Sequence, residues 1–110
     1  MQITGERNGD MLIARVGEAR IDAAVAIQFK DRMRDIVRDG PPVVVLDLSS
    51  VQFLDSSGLG AVVAVMKLLG PGRRLELAGL TPTVDKVFRL TRMDGVFTIH
   101  PAMPPVSHVN

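Results

Sequence analysis

The side chains able to do chemistry are gathered in one short stretch, Asp55-Ser56-Ser57-Gly58-Leu59-Gly60. It holds a carboxylate, two hydroxyls and two glycines. An apolar, β-branched run from Val43 to Leu48 leads into it, and a second apolar run from Leu59 to Leu69 leads out. The first run is short and reads as a buried strand. The second repeats its apolar residues at Leu59, Val62, Val63, Met66 and Leu69, which is helical spacing. The stretch is therefore a strand, a tight loop and a helix start. The first N–H groups of a helix lack internal partners, so such a start favours anions.

Several catalytic chemistries are excluded by what surrounds it. A serine nucleophile needs a base, and the two histidines, His100 and His108, stand near the chain end. The nucleophile-elbow pattern requires Gly two residues before the serine; Leu54 and Asp55 occupy those positions for Ser56 and Ser57. Gly58-Leu59-Gly60 lacks the lysine of a phosphate-binding loop. No cluster has metal-ligand spacing. The reading is no enzyme, no metal and no cofactor.

A fold-only account of the loop has Asp55 capping the helix, the serines satisfying its first N–H groups and Gly58 permitting tight packing. Two features strain that account. Glycine in a helix costs roughly 0.5–1 kcal/mol against alanine, so two within one turn imply a close backbone approach, by a neighbouring strand or by a partner protein. The helix is also apolar on every side from Gly58 to Met66. Leu59, Val62, Val63 and Met66 form one stripe, and Ala61, Val65 and Leu68 a second. Such a helix is either fully buried or presents an interaction surface. A surface serine at its start is suited to a switch. Phosphorylation would add about −1.5 to −2 charges at pH 7. The helix N-terminus tolerates that charge, whereas an apolar partner would have to desolvate it.

The elements that must position this loop follow from the rest of the chain. Met1 to Glu6 and Met11 to Val16 read as an antiparallel hairpin about Asn8-Gly9, with Gly17 to Arg20 as a connection. Asp22 is placed to cap a first helix whose buried positions are Val25, Phe29, Met33, Ile36 and Val37, ended by Gly40 before Pro41-Pro42. Val43 to Leu48 is the central strand, and its Asp47 needs water or a partner. After Gly70-Pro71-Gly72, Arg73 to Ala78 alternates as a strand buried on one face only. Thr81-Pro82 opens a third helix with Val84, Val87 and Phe88 inside, and Val96 to Ile99 is a last strand. From His100 onward a proline-containing segment reads as a loose tail. Helices alternating with strands predict an α/β fold with a mixed sheet, a short N-terminal hairpin and three main crossover helices.

The 110 residues are read as a single domain, 1–110, large enough to bury one core. With no cysteine, disulfides and thiolate metal sites are excluded. A net charge of +1, no Trp, no Tyr and four Phe argue against direct nucleic-acid binding. No run is apolar enough to insert in a membrane and no leader-like segment is present, so the expected location is the cytoplasm.

Val45-Leu46-Asp47-Leu48, Val51, Phe53 and Asp55-Ser56-Ser57-Gly58-Leu59-Gly60 resemble the signature of the STAS domain, and more narrowly that of the bacterial anti-sigma factor antagonists. Asp22-Ala23-Ala24, Val87-Phe88-Arg89-Leu90 and Val96-Phe97 resemble that family's first helix, third helix and last strand. The resemblance implies a kinase substrate and binding module. Ser56 would be phosphorylated by an anti-sigma factor that is also a serine protein kinase. The unmodified form would bind that kinase, the phosphorylated form would release it, and a serine phosphatase would restore it. Asp22, Asp55, Ser57, Gly58, Leu59 and Gly60 would line the switch surface around Ser56. Many members read Gly-x-Leu-Asp before the first helix; here the segment is Gly17-Glu18-Ala19-Arg20-Ile21-Asp22, so the match at Asp22 requires a longer loop.

Two other readings compete. One is a STAS module in a fixed signalling scaffold or membrane-transporter accessory complex, which could dispense with a phosphorylatable residue. The other is a nucleotide-binding domain or enzyme, favoured only by the glycines.

Overall fold

The computed structural model describes residues 1–103. The first two strands, β1 (Ile3–Asn8) and β2 (Met11–Val16), form the expected antiparallel hairpin. Its loop is Gly9-Asp10 rather than Asn8-Gly9, because Asn8 pairs directly with Met11. Gly9 alone takes a positive φ, +61°, a conformation that a residue without Cβ adopts at no steric cost.

The segment read as a connection contains a strand, β3 (Arg20–Ile21). Helix α1 (Ala26–Val37) follows, and β4 (Val43–Asp47) is the central strand. A second short strand, β5 (Phe53–Leu54), precedes helix α2 (Ser56–Leu69). Then come β6 (Arg74–Ala78), helix α3 (Pro82–Leu90), a 3-10 turn at Met93–Gly95 and β7 (Thr98–His100). The main sheet has the order β1-β2-β4-β6-β7, with every pair after the hairpin parallel. The two short strands pair in parallel as a separate ribbon, Arg20 with Phe53 and Ile21 with Leu54.

The core lies on one face of the sheet. Leu12, Ala14 and Val16 of β2, Val44 and Leu46 of β4, and Leu75 and Leu77 of β6 meet Phe29 and Met33 of α1, Val62 and Val65 of α2, and Val84 and Phe88 of α3. Phe29 and Phe88 are fully buried, so truncating either to alanine would cost about 3–5 kcal/mol. Phe88 meets Phe97 edge to face, with ring centroids 5.9 Å apart.

The opposite face is knitted by charges. Arg15 pairs with Glu6 and lies 3.7 Å from Asp47, whose other oxygen accepts from the Ser49 N–H at 3.0 Å. Asp47 thus has the partners its burial demands. In the expectation for Arg73 to Ala78, one face was open. Instead Leu75, Glu76, Leu77 and Ala78 are all buried. Glu76 is covered by its own partners, Arg74 at 2.7 Å and His100 at 2.8 Å. Burial alone would raise the Glu76 carboxyl, but the hydrogen bonds and charges of Arg74 and His100 outweigh it and hold the group below the usual carboxylate range.

Other boundaries differ for local reasons. Asp22 does not cap α1, which begins four residues later at Ala26 with Val25 before it and no side-chain cap. Asp22 instead stabilises the preceding turn, where Oδ1 accepts from the Ala24 N–H at 3.1 Å. Val25 and Ile36 are only partly buried, leaving Phe29, Met33 and Val37 as the inner face of α1. Asp39 rather than Gly40 takes the left-handed conformation after α1, at φ 54°. The Thr81 hydroxyl does not cap α3; it donates to the Val51 carbonyl at 2.7 Å and ties α3 to the loop before β5. Val96 closes the 3-10 turn, and His100 belongs to β7 rather than to a tail. The rest of the expected tail from residue 104, His108 included, lies outside the described residues.

Candidate functional site

Asp55 stands just before α2 with extended backbone, and its Oδ1 accepts from the Gly58 N–H at 2.9 Å. This is the expected N-cap. Its Oδ2 accepts from the Ala23 N–H at 3.3 Å. One carboxylate therefore joins the start of α2 to the loop before α1. The β3–β5 ribbon sets the distance between them, since Ile21 pairs with Leu54 and each strand leads directly into its loop. Arg20 reinforces the same corner. Its guanidinium lies 4.2 Å from the centroid of the Phe53 ring and 3.2 Å from Asp22 Oδ2.

The two glycines have separate causes. A Cβ on Gly58 would sit 2.0 Å from the Ile21 carbonyl oxygen. The neighbouring strand is thus the close approach that the sequence required. A Cβ on Gly60 would meet nothing within 4 Å. Gly60 is exposed, and packing inside the domain does not account for it.

The faces of α2 also depart from the two expected stripes. Gly58, Ala61, Val62, Val65 and Leu69 are buried, which takes residues from both. Leu59, Val63 and Met66 are only partly covered. Leu68, of the second stripe, is 44% exposed, while Ala61 and Val65 of the same stripe are buried. Val62 and Val65 face the sheet through the shared core, so the helix divides by depth rather than into two equal faces.

Ser56 and Ser57 are both exposed at the first turn of α2. Around them, Ala23, Ala24 and Gly60 are exposed, and Ile27 near the start of α1 is 69% exposed. Asp22 and Leu59 are half-buried at the edges. The structure therefore gathers Asp22, Asp55, Ser56, Ser57, Gly58, Leu59 and Gly60 at one end of the helical layer. Small side chains dominate there, and Ser56 is exposed among them. Sequence reasoning missed Ile27, Phe53 and Arg20. An exposed Ile inside an amphipathic helix was the available signal; nothing local marked the Arg20–Phe53 stack.

Arg89 and Arg92 lie far along the chain from this surface. Arg89 is held by Asp85 at 2.8 Å and approached by Asp94 at 3.5 Å. Asp85 raises the Arg89 guanidinium above its ordinary value, so it stays charged and engaged within its own helix. Among the described residues no three His, Cys, Asp or Glu side chains gather as a metal would require, and no helix is long and apolar enough to cross a membrane.

A model of the STAS domain matches residues 2–104. The anti-sigma F factor antagonist of Paenibacillus polymyxa is 31% identical over 103 residues, spanning 92% of this chain and 85% of that protein. The anti-sigma-F factor antagonist RsfB of Mycobacterium tuberculosis is 28% identical over 105 residues, spanning 92% of this chain and 84% of that one. The crystal structure of an anti-sigma factor antagonist from Mycobacterium paratuberculosis superposes with a TM-score of 0.83 at 27% identity, over 93% of this chain and 86% of that one.

Proposed function

This chain belongs to the STAS domain family, and on that premise we propose that it is an anti-sigma factor antagonist whose binding is switched by phosphorylation of Ser56. Its partner is an anti-sigma factor that is also a serine protein kinase, and a serine phosphatase resets it. The chain is a binding module in the cytoplasm with no catalysis of its own. The observation that carries this reading is the exposed Ser56 hydroxyl, standing between the Asp55 cap and the open Gly60 on a surface of small residues.

The switch works through desolvation. The unmodified surface of Ala23, Ala24, Ile27, Ser56, Ser57 and Gly60 loses water at little cost when a partner covers it. A phosphate on Ser56 adds about two negative charges beside the Asp55 carboxylate, and burying them unpaired costs several kcal/mol. The fold is unaffected, because the charge sits at the N-terminus of α2. Asp55, Gly58 and Asp22 hold the two loops in register, while Ser57, Leu59 and Gly60 form the contact around the switch.

The test is phosphopeptide mapping of the protein purified from its own cells, beside a Ser56→Ala variant, with co-purifying proteins identified. Phosphate on Ser56, and a kinase-like partner recovered mainly with unmodified protein, is the expected result. An unmodified Ser56 across growth and stress conditions, with one partner bound throughout, would favour a fixed scaffold or transporter-accessory module instead.

A further inference from the structure

The far end of the α1–α2 pair carries a second surface. Leu68 protrudes there between two adjoining hollows. One, of 70 Å³, is lined by Lys30, Arg34, Ala64, Val65 and Leu68. The other, of 210 Å³, is lined by Arg34, Val37, Arg38, Leu68 and Arg73. The floor is apolar and the rim is basic, and no acidic side chain lines either hollow. Asp31 and Asp35 pair with Arg34 and Arg38 from positions 63% and 61% exposed, and such surface pairs are exchanged cheaply for a partner's carboxylates. Arg73 is fixed in place, donating to the Val37 carbonyl at 2.8 Å and the Pro41 carbonyl at 3.1 Å.

The spacing of the rim selects its ligand. Lys30, Arg34 and Arg38 stand at successive i, i+4 positions of one helix or just past its end, which sets them about 6 Å apart along the axis. Carboxylates at i and i+4 on a facing helix have the same step. An apolar side chain between them would fall on Ala64 and Leu68. Nucleic-acid phosphates would leave that floor uncovered.

We propose that this groove docks an acidic amphipathic helix of a partner protein, with apolar anchors beside Leu68 and Asp or Glu opposite Lys30, Arg34 and Arg38. Ser56 and Leu68 are separated by about 18 Å along α2. The groove is therefore engaged independently of Ser56 phosphorylation, and this goes beyond the switch reading above.

The test places p-benzoylphenylalanine at Lys67 in the full chain, irradiates it in its own cells and sequences the cross-linked peptide. That peptide is then synthesised and titrated by fluorescence anisotropy. The expected peptide is an acidic helix with apolar residues at helical spacing. Arg34→Glu and Leu68→Asp should each weaken its binding about tenfold or more, while Ser56→Asp changes it less than about twofold. Thermal melts of both groove variants, at exposed positions, establish that they are folded. Cross-links to lipid, nucleic acid, a non-acidic segment or a second copy of this chain overturn the proposal. So does the absence of any specific cross-link, or an equal loss with Ser56→Asp. Failure of the Ser56 switch alone leaves these results unchanged, so the two readings fail separately.

Discussion

The Asp55 carboxylate accepts a hydrogen bond from the Ala23 N–H at 3.3 Å, across 32 residues of chain. The same side chain caps α2 through Gly58. One residue therefore fixes both the start of the helix that carries Ser56 and the loop that flanks it. Asp55→Ala should cost about 0.5–2 kcal/mol, the range for loss of an N-cap. It should also speed amide exchange at Ala23 and Gly58 above that at other exposed loops. Asp55→Asn keeps an acceptor and should lose less. Equal exchange at Ala23 in wild type and the alanine variant would mean that the bridge contributes nothing.

The two glycines of α2 should respond in opposite directions. Gly58→Ala drives a Cβ against the Ile21 carbonyl, so it should destabilise by roughly 2–3 kcal/mol and loosen the β3–β5 ribbon. Gly60→Ala enters open space and gains helix propensity, so it should stabilise by about 0.5–1 kcal/mol. Chemical denaturation of both variants measures this. If the partner lies flat on Gly60, the more stable Gly60→Ala protein should bind it more weakly than wild type.

Ser56→Asp should melt within a few degrees of wild type, because an acid at the first turn of a helix is electrostatically tolerated. Its affinity for the kinase-like partner should fall by about tenfold or more, equivalent to about 1.4 kcal/mol. A large drop in melting temperature would assign the lost binding to unfolding rather than to the switch.

Glu76 gives the fold an acid-sensitive contact. Its carboxyl titrates below the range it has in an unfolded chain, so the unfolded state binds the proton more tightly. The contribution is fully present above the unfolded value and is lost as pH falls through the lower folded value. Glu76→Gln should therefore flatten the acid limb of the stability curve and cost roughly 1 kcal/mol at neutral pH, where Arg74 and His100 both lose their carboxylate partner. An unchanged acid limb would show that other carboxylates govern it.

The sequence alone determined the elements with strong local signals. Val43 to Asp47 had to be a central strand because it is a β-branched apolar run, and Ser56 to Leu69 had to be a helix because its apolar residues recur at helical spacing after a capping acid. The Asp-Ser-Ser-Gly-Leu-Gly loop was legible for the same reason: capping, glycine and hydroxyl chemistry act over three or four residues. Tertiary structure decided the rest. Arg20–Ile21 and Phe53–Leu54 are two residues each, too short to show a period, and become strands only by pairing with one another. That pairing presses Ile21 on Gly58 and brings Ala23 to Asp55. Asp22 carries a cap residue's chemistry, yet it serves a turn before α1 because the ribbon, rather than local preference, sets where the helix can begin. The depth of each α2 side chain was likewise settled by which neighbours covered it. A helix apolar on every side carries no internal record of the direction of its core, so Leu68 faces solvent where α1 and α2 leave it uncovered.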